Sequence, residues 1–200
     1  GVRIKEKNGG KVTAVSMGPS QSEKCLKEAI AMGADEAILL SDRAFAGSDT
    51  WATSTAIAAA IKKIGDYDII FCGRQAIDGD TAQVGPQIAE HLGLPQITYV
   101  EKLDIKENKV VARRSLEAGY FVIESKMPVL LTAIKELNVP RYPSIKGIYK
   151  AYRENKVQVW GAKDVGVDKF EVGLEGSPTQ VNKSFTPPGS CQCLLCGKLF

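Results

Sequence analysis

The chain has 200 residues, of which 44% are hydrophobic and 24% charged, a composition typical of one globular domain with a sizeable core. Its formal net charge of +3 is small and its Lys and Arg residues are scattered, so the composition argues against a nucleic-acid partner. No stretch reaches the roughly 20 apolar residues that span a bilayer, and no basic and apolar leader precedes the first strand, so we expect no membrane span and a cytoplasmic protein.

The first half of the chain alternates β-rich runs with helical patterns. The pattern predicts strands at 11–16, 37–40, 68–72 and 96–100, and helices at 20–33, 48–64 and 81–92. Apolar runs such as 68–72 are typical of strands that are buried on both faces of a parallel sheet. The order of elements therefore predicts an α/β fold, doubly wound around a mainly parallel sheet.

The pattern changes after Val100. Two alternating runs flank a turn at Glu107-Asn108, and the segments GYFVIES and PVLLTAI follow. This predicts an antiparallel excursion whose last strand rejoins the main sheet. From Asn138 the chain is irregular and rich in Pro, Gly, Ser and Thr, so we expect an extended C-terminal arm that lies on another surface. We place an α/β domain at 1–160 and the arm and tail, which we expect to lie on another surface, at 161–200.

The chain contains five cysteines, for which the sequence predicts no structural disulfide. Cys25 and Cys72 lie in apolar helix and strand patterns, where a thiol behaves as a small hydrophobic group. The other three, Cys191, Cys193 and Cys196, form CQCLLC near the end of the chain. A zinc or iron–sulfur site would need a fourth ligand, and no His lies nearby, so we predict an exposed tail and no metal.

The segment GRQAIDGDTAQVG, from Gly73 to Gly85, follows the predicted strand at 68–72. Ligands of open α/β sheets bind beyond the carboxyl ends of the strands, where helix N-termini present free N–H groups. Glycines at 73, 79 and 85 permit close backbone approach. We expect Asp80 to cap the following helix, and the amides of Thr81 and Ala82, in its first turn, to suit phosphate oxygens.

The same segment has a local interpretation, because every α/β protein needs a strand-to-helix loop with capping and turn residues. Neither G-x-G-x-x-G nor G-x-x-x-x-G-K-[ST] occurs in the chain. The carboxylates of Asp78 and Asp80 would also repel a phosphate unless they point at amides or ribose hydroxyls. The spacing by itself therefore permits a nucleotide without requiring one.

We interpret the remaining histidine and the aromatic side chains as residues that pack against their neighbours. His91 has no second ligand or nucleophile in view, so we expect it to be a surface or packed histidine and predict no catalytic residue. Trp51 and Tyr67 stand singly at helix and loop ends, where packing is commoner than stacking on a flavin.

Several longer segments resemble the β subunit of electron-transfer flavoproteins. They are VSMGP at 15–19, AIAMGADEAILLSDRAFAGSDTWATS at 29–54, GRQAIDGDTAQVGPQIAEHLG at 73–93, VPRYPSIKGI at 139–148, DVGVD at 164–168 and GSPTQVNKSFTPP at 176–188. The resemblance implies a sheet of the adenine-nucleotide-hydrolase-like type. It also implies a heterodimer in which the arm wraps around an α subunit that carries an FAD. The function it implies is electron transfer with acyl-CoA or other dehydrogenases.

The resemblance also implies which residues hold a nucleotide. The first loop comprises Ser16, Met17 and Gly18, and the second comprises Gly73, Arg74, Gln75, Ala76, Ile77, Asp78, Gly79, Asp80, Thr81, Ala82, Gln83 and Val84. We expect the two loops to end adjacent parallel strands and so to converge. The form DGDTAQVGP is similar to the electron-bifurcating members, which implies FAD here with NADH as electron donor; AMP is the alternative.

Two departures from the family pattern accompany these matches. In LEAGYF an Ala at 118 replaces a usual Gly and a Phe at 121 replaces a usual acid, so the contacts of that loop are not carried over. Before the first predicted strand only GVRIKEKNGG, similar to the end of a helix, is present, so a central strand and one wall of the pocket are expected to be missing. Two other functions stay open: a nucleotide-hydrolysing or nucleotidyl-transferring enzyme on the same sheet, and a shortened structural module without a cofactor.

Overall fold

The computed structural model describes residues 1–77, 79–154 and 157–183 of the chain. The helices are α1 (Val2–Asn8), α2 (Glu23–Met32), α3 (Thr50–Ile64), α4 (Val84–Leu92), α5 (Ile145–Arg153) and α6 (Ala162–Val165). The strands are β1 (Thr13–Met17), β2 (Glu36–Leu40), β3 (Ile69–Gly73), β4 (Gln96–Lys106), β5 (Lys109–Leu116), β6 (Gly119–Lys126), β7 (Val129–Ala133) and β8 (Val157–Trp160). None of the helices in these ranges has the length and apolar character needed to cross a bilayer.

The first sheet has the order β1-β2-β8, and all of its strands are parallel. The central strand β2 reads EAILL, and its last four residues are buried. Ile38 and Leu40 face a core formed with α3 and α6, whereas Ala37 and Leu39 face a core formed with α2 and α5. Helices therefore cover both faces of the sheet, which explains why the strand is a continuous apolar run and confirms the doubly wound α/β class.

The second sheet has the order β3-β7-β4-β5-β6. The strand β7 lies between β3 and β4 and runs parallel to both, whereas β4, β5 and β6 form an antiparallel meander. Leu130 of β7 packs against α4 and α3, and Leu131 faces a core made with β4 and β5. The predicted excursion that returns to the main sheet is thus confirmed.

The helix α3 lies against both sheets. Ala56 and Ala60 belong to the core of the first sheet, and Ala58 and Ile61 belong to the core between α4 and the second sheet. Among the described residues, β1 and β3 each pair with one strand only, so the two sheets do not join there.

The region after Asn138 is more regular than the sequence predicted. It contains α5, β8 and α6, and β8 extends the first sheet. The Ser144 hydroxyl caps α5 by accepting a hydrogen bond from the Gly147 amide at 2.9 Å. Gly147 is needed for the contact with α2, because a Cβ there would lie 2.2 Å from the carbonyl oxygen of Ala31. The interpretation of this region as irregular was therefore wrong as far as α6, whereas residues 166–183 form no helix or strand.

Part of the expected arm packs on the chain itself. Val165 and Val172 belong to the same buried cluster as Phe45, and Val172 is only 1% exposed. The boundary at residue 160 stays a prediction, but residues 162–179 make contacts of their own with the preceding domain.

The two cysteines in the described ranges differ in exposure. Cys25 is exposed and its thiol donates to the carbonyl oxygen of Ser22, so its expected burial was wrong: α2 buries Leu26 and Ile30 instead. Cys72 is partly buried on β3, and desolvation raises its pKa to about 11. Cys191, Cys193 and Cys196 lie outside the described residues, among which no group of side chains forms a metal site.

Candidate nucleotide-binding site

The candidate loop connects β3, which ends at Gly73, to α4, which begins at Val84. The predicted helix start at Thr81 was wrong by three residues. Pro86 gives the physical reason, because a proline lacks an N–H and its ring clashes with the carbonyl four residues earlier, so it fits only in the first turn. Thr81 and Ala82 consequently precede the helix instead of forming its first turn.

The Asp80 side chain does not cap α4. It accepts a hydrogen bond from the side-chain amide of Gln75, and Asp80 has a positive φ of 48°. Its backbone amide donates to the carbonyl oxygen of Ala76 at 3.1 Å, which closes the loop on itself, and Ile77 at the tip is fully exposed. Asp78 lies outside the described residues. The loop is therefore an independent turn before the helix.

Three backbone amides of the loop, those of Thr81, Ala82 and Gln83, donate no hydrogen bond to any other described residue. Ala82 has a φ of 54°, and the next residue, Gln83, has right-handed helical angles. A left-handed residue beside a right-handed one turns successive N–H groups to one side and forms an anion-binding concavity. The positive end of the α4 helix dipole adds a favourable electrostatic interaction with an anion in this concavity. The free amides expected from the sequence are thus present, although they come from the loop.

The three glycines of the segment have different surroundings. A Cβ at Gly85 would lie 2.7 Å from Cγ2 of Thr132, so this glycine lets α4 approach β7 closely. A Cβ at Gly73 or Gly79 would meet no atom of the described chain within 4 Å, and neither residue has a positive φ. Neither the backbone angles nor the packing of the chain therefore require a glycine at 73 or 79.

The first predicted loop lies at the end of β1. Ser16 and Met17 are the last two residues of that strand, and the amide of Gly18 donates to the carbonyl oxygen of Leu40 at 3.0 Å. The expectation that β1 and β3 are adjacent strands was wrong, because they belong to different sheets. No hydrogen bond within the described ranges joins residues 16–18 to residues 73–84. Both loops nevertheless lie at carboxyl ends of strands that pack near α3.

A cavity of about 520 Å³ adjoins the second loop on the side where β7 lies. Its lining residues are Arg74, Gln75, Glu101, Ser115, Ala133, Ile134, Lys135 and Glu136. The Arg74 guanidinium also lies 5.3 Å from the ring centre of Tyr99. Sequence reasoning missed the contribution of β5 and of the turn after β7, because only the strand order brings them beside β3.

His91 packs between helices. Its ring lies 4.5 Å from that of Trp51, and Nε2 is 3.2 Å from the Ser54 hydroxyl and 3.3 Å from the Thr55 hydroxyl. Burial and the nearby Lys62 lower its pKa below the usual range of a histidine. The Trp51 ring contacts this histidine, although 44% of Trp51 is exposed. Tyr67 packs against the core between α4 and the second sheet.

Comparison with known proteins identifies the family. A model described as "Electron transfer flavoprotein domain" matches residues 1–165. The chain belongs to the electron transfer flavoprotein family. It is 64% identical over 186 residues to "Electron transfer flavoprotein subunit beta" of Thermoanaerobacterium thermosaccharolyticum, a match that covers 93% of this chain and 71% of the relative.

Two further members of the family show the same extent of similarity. "Electron transfer flavoprotein subunit beta" of Clostridium acetobutylicum is 60% identical over 183 residues, covering 92% of this chain and 70% of that protein. "Caffeyl-CoA reductase-Etf complex subunit CarD" of Acetobacterium woodii is 54% identical over 186 residues, covering 92% and 71%. The resemblance drawn from the sequence motifs is thereby confirmed.

Proposed function

We propose that the chain is the β subunit of a heterodimeric electron-transfer flavoprotein and that it binds an adenine nucleotide at the loop between β3 and α4. The observation that carries this proposal is the concavity at Ala82 and Gln83, with three amides that no described residue uses. N–H groups at the start of a helix have no partner within the helix, so the unused amides that precede α4 suit the oxygens of a diphosphate. The chain then acts as an electron carrier within a complex and supplies no catalytic residue of its own.

The glycines of the loop support the same site. Since nothing in the chain requires a glycine at 73 or 79, a ligand that approaches the backbone explains both. Arg74 and Gln75 stand at the loop's edge and line the adjoining cavity, which has room for part of a nucleotide. Ser16 to Gly18 form the second contact at the end of β1.

We infer FAD in preference to AMP from the likeness of DGDTAQVGP to electron-bifurcating members, in which NADH is the donor. An FAD bound here would supply the electron-accepting and electron-donating chemistry. The residues of the chain bind the diphosphate through backbone amides, orient the nucleotide and limit its contact with water.

From the resemblance to electron-transfer flavoprotein β subunits we propose an α subunit as the partner, with a dehydrogenase or reductase as the further electron partner, in the cytoplasm. Residues beyond α6 offer side chains for such a contact, because Phe170, Leu174 and Val181 remain exposed although neighbouring residues pack on the chain. Such exposed apolar side chains offer a partner apolar surface to bury.

A pair of glycine variants tests the nucleotide site. Gly79→Val places a side chain where the chain itself leaves open space, so it is expected to weaken FAD or AMP binding while the melting temperature stays unchanged. The control Gly85→Ala forces a contact with Thr132 and is expected to lower stability by about 1–3 kcal/mol. Titration calorimetry and thermal melts measure both. Parental nucleotide affinity in Gly79→Val would show that the site lies elsewhere.

The two other functions have their own signatures. A nucleotide-hydrolysing enzyme predicts turnover of ATP or pyrophosphate, and a structural module predicts a colourless protein that binds neither FAD nor AMP. Absorbance of the purified protein and a phosphate-release assay separate these from a yellow, non-hydrolysing electron carrier.

A further inference from the structure

The segment after α6 returns across the loop that precedes α3. Val172 is buried beside Phe45, and the amide of Gly173 donates to the Ser48 hydroxyl at 2.9 Å. Gly173 has a φ of 67°, and a Cβ there would lie 2.2 Å from the carbonyl oxygen of Ala44. This close backbone approach fixes the segment in one register on the loop.

Farther along, the segment contacts Asp49, the residue that caps α3. One carboxylate oxygen, Oδ1, accepts hydrogen bonds from the amides of Trp51 and Ala52 at 2.9 and 3.0 Å. The other, Oδ2, accepts from the amide and the hydroxyl of Thr179 at 2.9 and 2.7 Å. The amide of Asp49 itself donates to the Ser177 hydroxyl at 2.9 Å. The carboxylate of Asp49 thus links Thr179 to the first turn of α3, and the backbone amide of Asp49 holds Ser177.

The first residue of α3 continues the connection to α4. The Thr50 hydroxyl donates to the side-chain oxygen of Gln83 at 3.2 Å, and the side-chain amide of Gln87 donates to that hydroxyl at 3.4 Å. Gln83 immediately precedes α4, and its backbone amide is one of the three unused donors of the nucleotide loop. An unbroken series of hydrogen bonds and one peptide bond therefore leads from Thr179 through Asp49 and Thr50 to that loop.

We propose that Asp49 is a positioning residue for the nucleotide site. Thr179 holds the Asp49 carboxylate, which fixes the start of α3, and the hydrogen bond from Thr50 to Gln83 in turn fixes the start of α4. The C-terminal segment is then part of the support of the nucleotide loop as well as a covering of the core. This inference rests on the proposed function, since it assigns a role towards the same site.

The test removes single hydroxyl groups from the protein paired with its α subunit. Thr179→Val and Thr50→Val are each expected to weaken FAD or AMP affinity by roughly 2- to 30-fold, the range in which supporting residues change coupling between sites. Because both act through one connection, the double variant should lose no more than about what Thr50→Val alone loses. Thr179→Ser keeps the hydroxyl and should restore the parental affinity.

The control is Thr13→Val at the amino end of β1, where the threonine hydroxyl makes no hydrogen bond with a described residue. It should leave affinity unchanged. Parental affinity in Thr179→Val, or strictly additive losses in the double variant, would overturn the inference.

Hydrogen exchange separates this inference from the proposed function. With no nucleotide added, Thr179→Val is expected to speed exchange of the Gln87 amide, which donates to the carbonyl oxygen of Gln83 at 3.0 Å in the first turn of α4, whereas Thr13→Val is not. If the parent binds neither FAD nor AMP, the proposed function fails, and the exchange result still decides the positioning role. Unchanged exchange in that turn would overturn the inference even if the nucleotide binds.

Discussion

At the scale of single residues, the glycines of the segment 73–85 have different surroundings. Gly85 is required by packing of α4 on β7, whereas Gly79 faces open space. The sequence shows only that glycines recur, because the atoms that each would meet come from strands distant in the chain. For the same reason the sequence does not distinguish Cys25 from Cys72. Both lie in apolar patterns, but only Cys72 is partly buried, whereas Cys25 is exposed to solvent.

The two cysteines give a prediction at this scale. With its pKa raised to about 11 by burial, Cys72 holds only about one thousandth of its thiol as thiolate at pH 8. Iodoacetamide should therefore label the exposed Cys25 and spare Cys72, as peptide mass spectrometry would show. Labelling in urea, where both thiols are exposed, is the control. Equal labelling rates in the folded protein would contradict the burial of Cys72.

At the scale of elements, the sequence predicted the elements of the first half of the chain because their periodicities reflect burial. The capping spacing of Asp80 and Gln83 predicts a helix that starts at Thr81, but Pro86 fits only in the first turn, so α4 starts at Val84. The helix α5 was missed because its contact with α2 uses Gly147 and Ala151, whereas its large apolar residues are exposed. Apolar periodicity predicts a buried face only when large side chains form it.

The cap of α3 gives a prediction for acid stability. Burial raises the pKa of the Asp49 carboxyl, but hydrogen bonds from Thr179, Ala52 and Trp51 lower it by more, so its pKa in the folded state is below the usual range. The unfolded chain, with an aspartate pKa of about 3.9, then binds more protons than the folded chain just below that pH. Asp49 should stabilise the fold fully above about pH 5 and lose this effect as the pH falls through its folded-state pKa.

The matched variant is Asp49→Asn. Its free energy of unfolding in urea should be lower than the parent's at pH 7, and the difference should shrink below about pH 4. A difference that stays constant from pH 7 to pH 3 would show that the carboxylate charge does not matter at this cap.

At the scale of the whole molecule, strand order decides what lies beside the nucleotide loop. The sequence predicted the α/β class and a returning strand, but it placed β1 next to β3, and the described chain instead forms two sheets bridged by α3. The cavity residues Ser115 and Lys135 were missed for the same reason, since long-range pairing brings them to Arg74. Local patterns contain no information on such pairing.

Two truncations test the roles of the C-terminal segment. Ending the chain at Gly161 removes the buried Val165 and Val172 and should cost at least about 3 kcal/mol of stability. Ending it at Lys183 keeps every residue that makes a described contact. We expect the melting temperature to stay parental while association with the α subunit weakens. Thermal melts and co-purification with a tagged α subunit measure the two effects. Undiminished association of the chain ending at Lys183 would show that residues beyond it are not needed for pairing.

The central claim is that this chain holds an adenine nucleotide at the loop between β3 and α4. Mass spectrometry of the small molecules released when the purified α–β complex is denatured tests it most directly. We expect two adenine nucleotides per heterodimer, both of them FAD, or FAD with AMP in the alternative case, and the loss of one of them in Gly79→Val. A single nucleotide per heterodimer, retained undiminished in Gly79→Val, would contradict it.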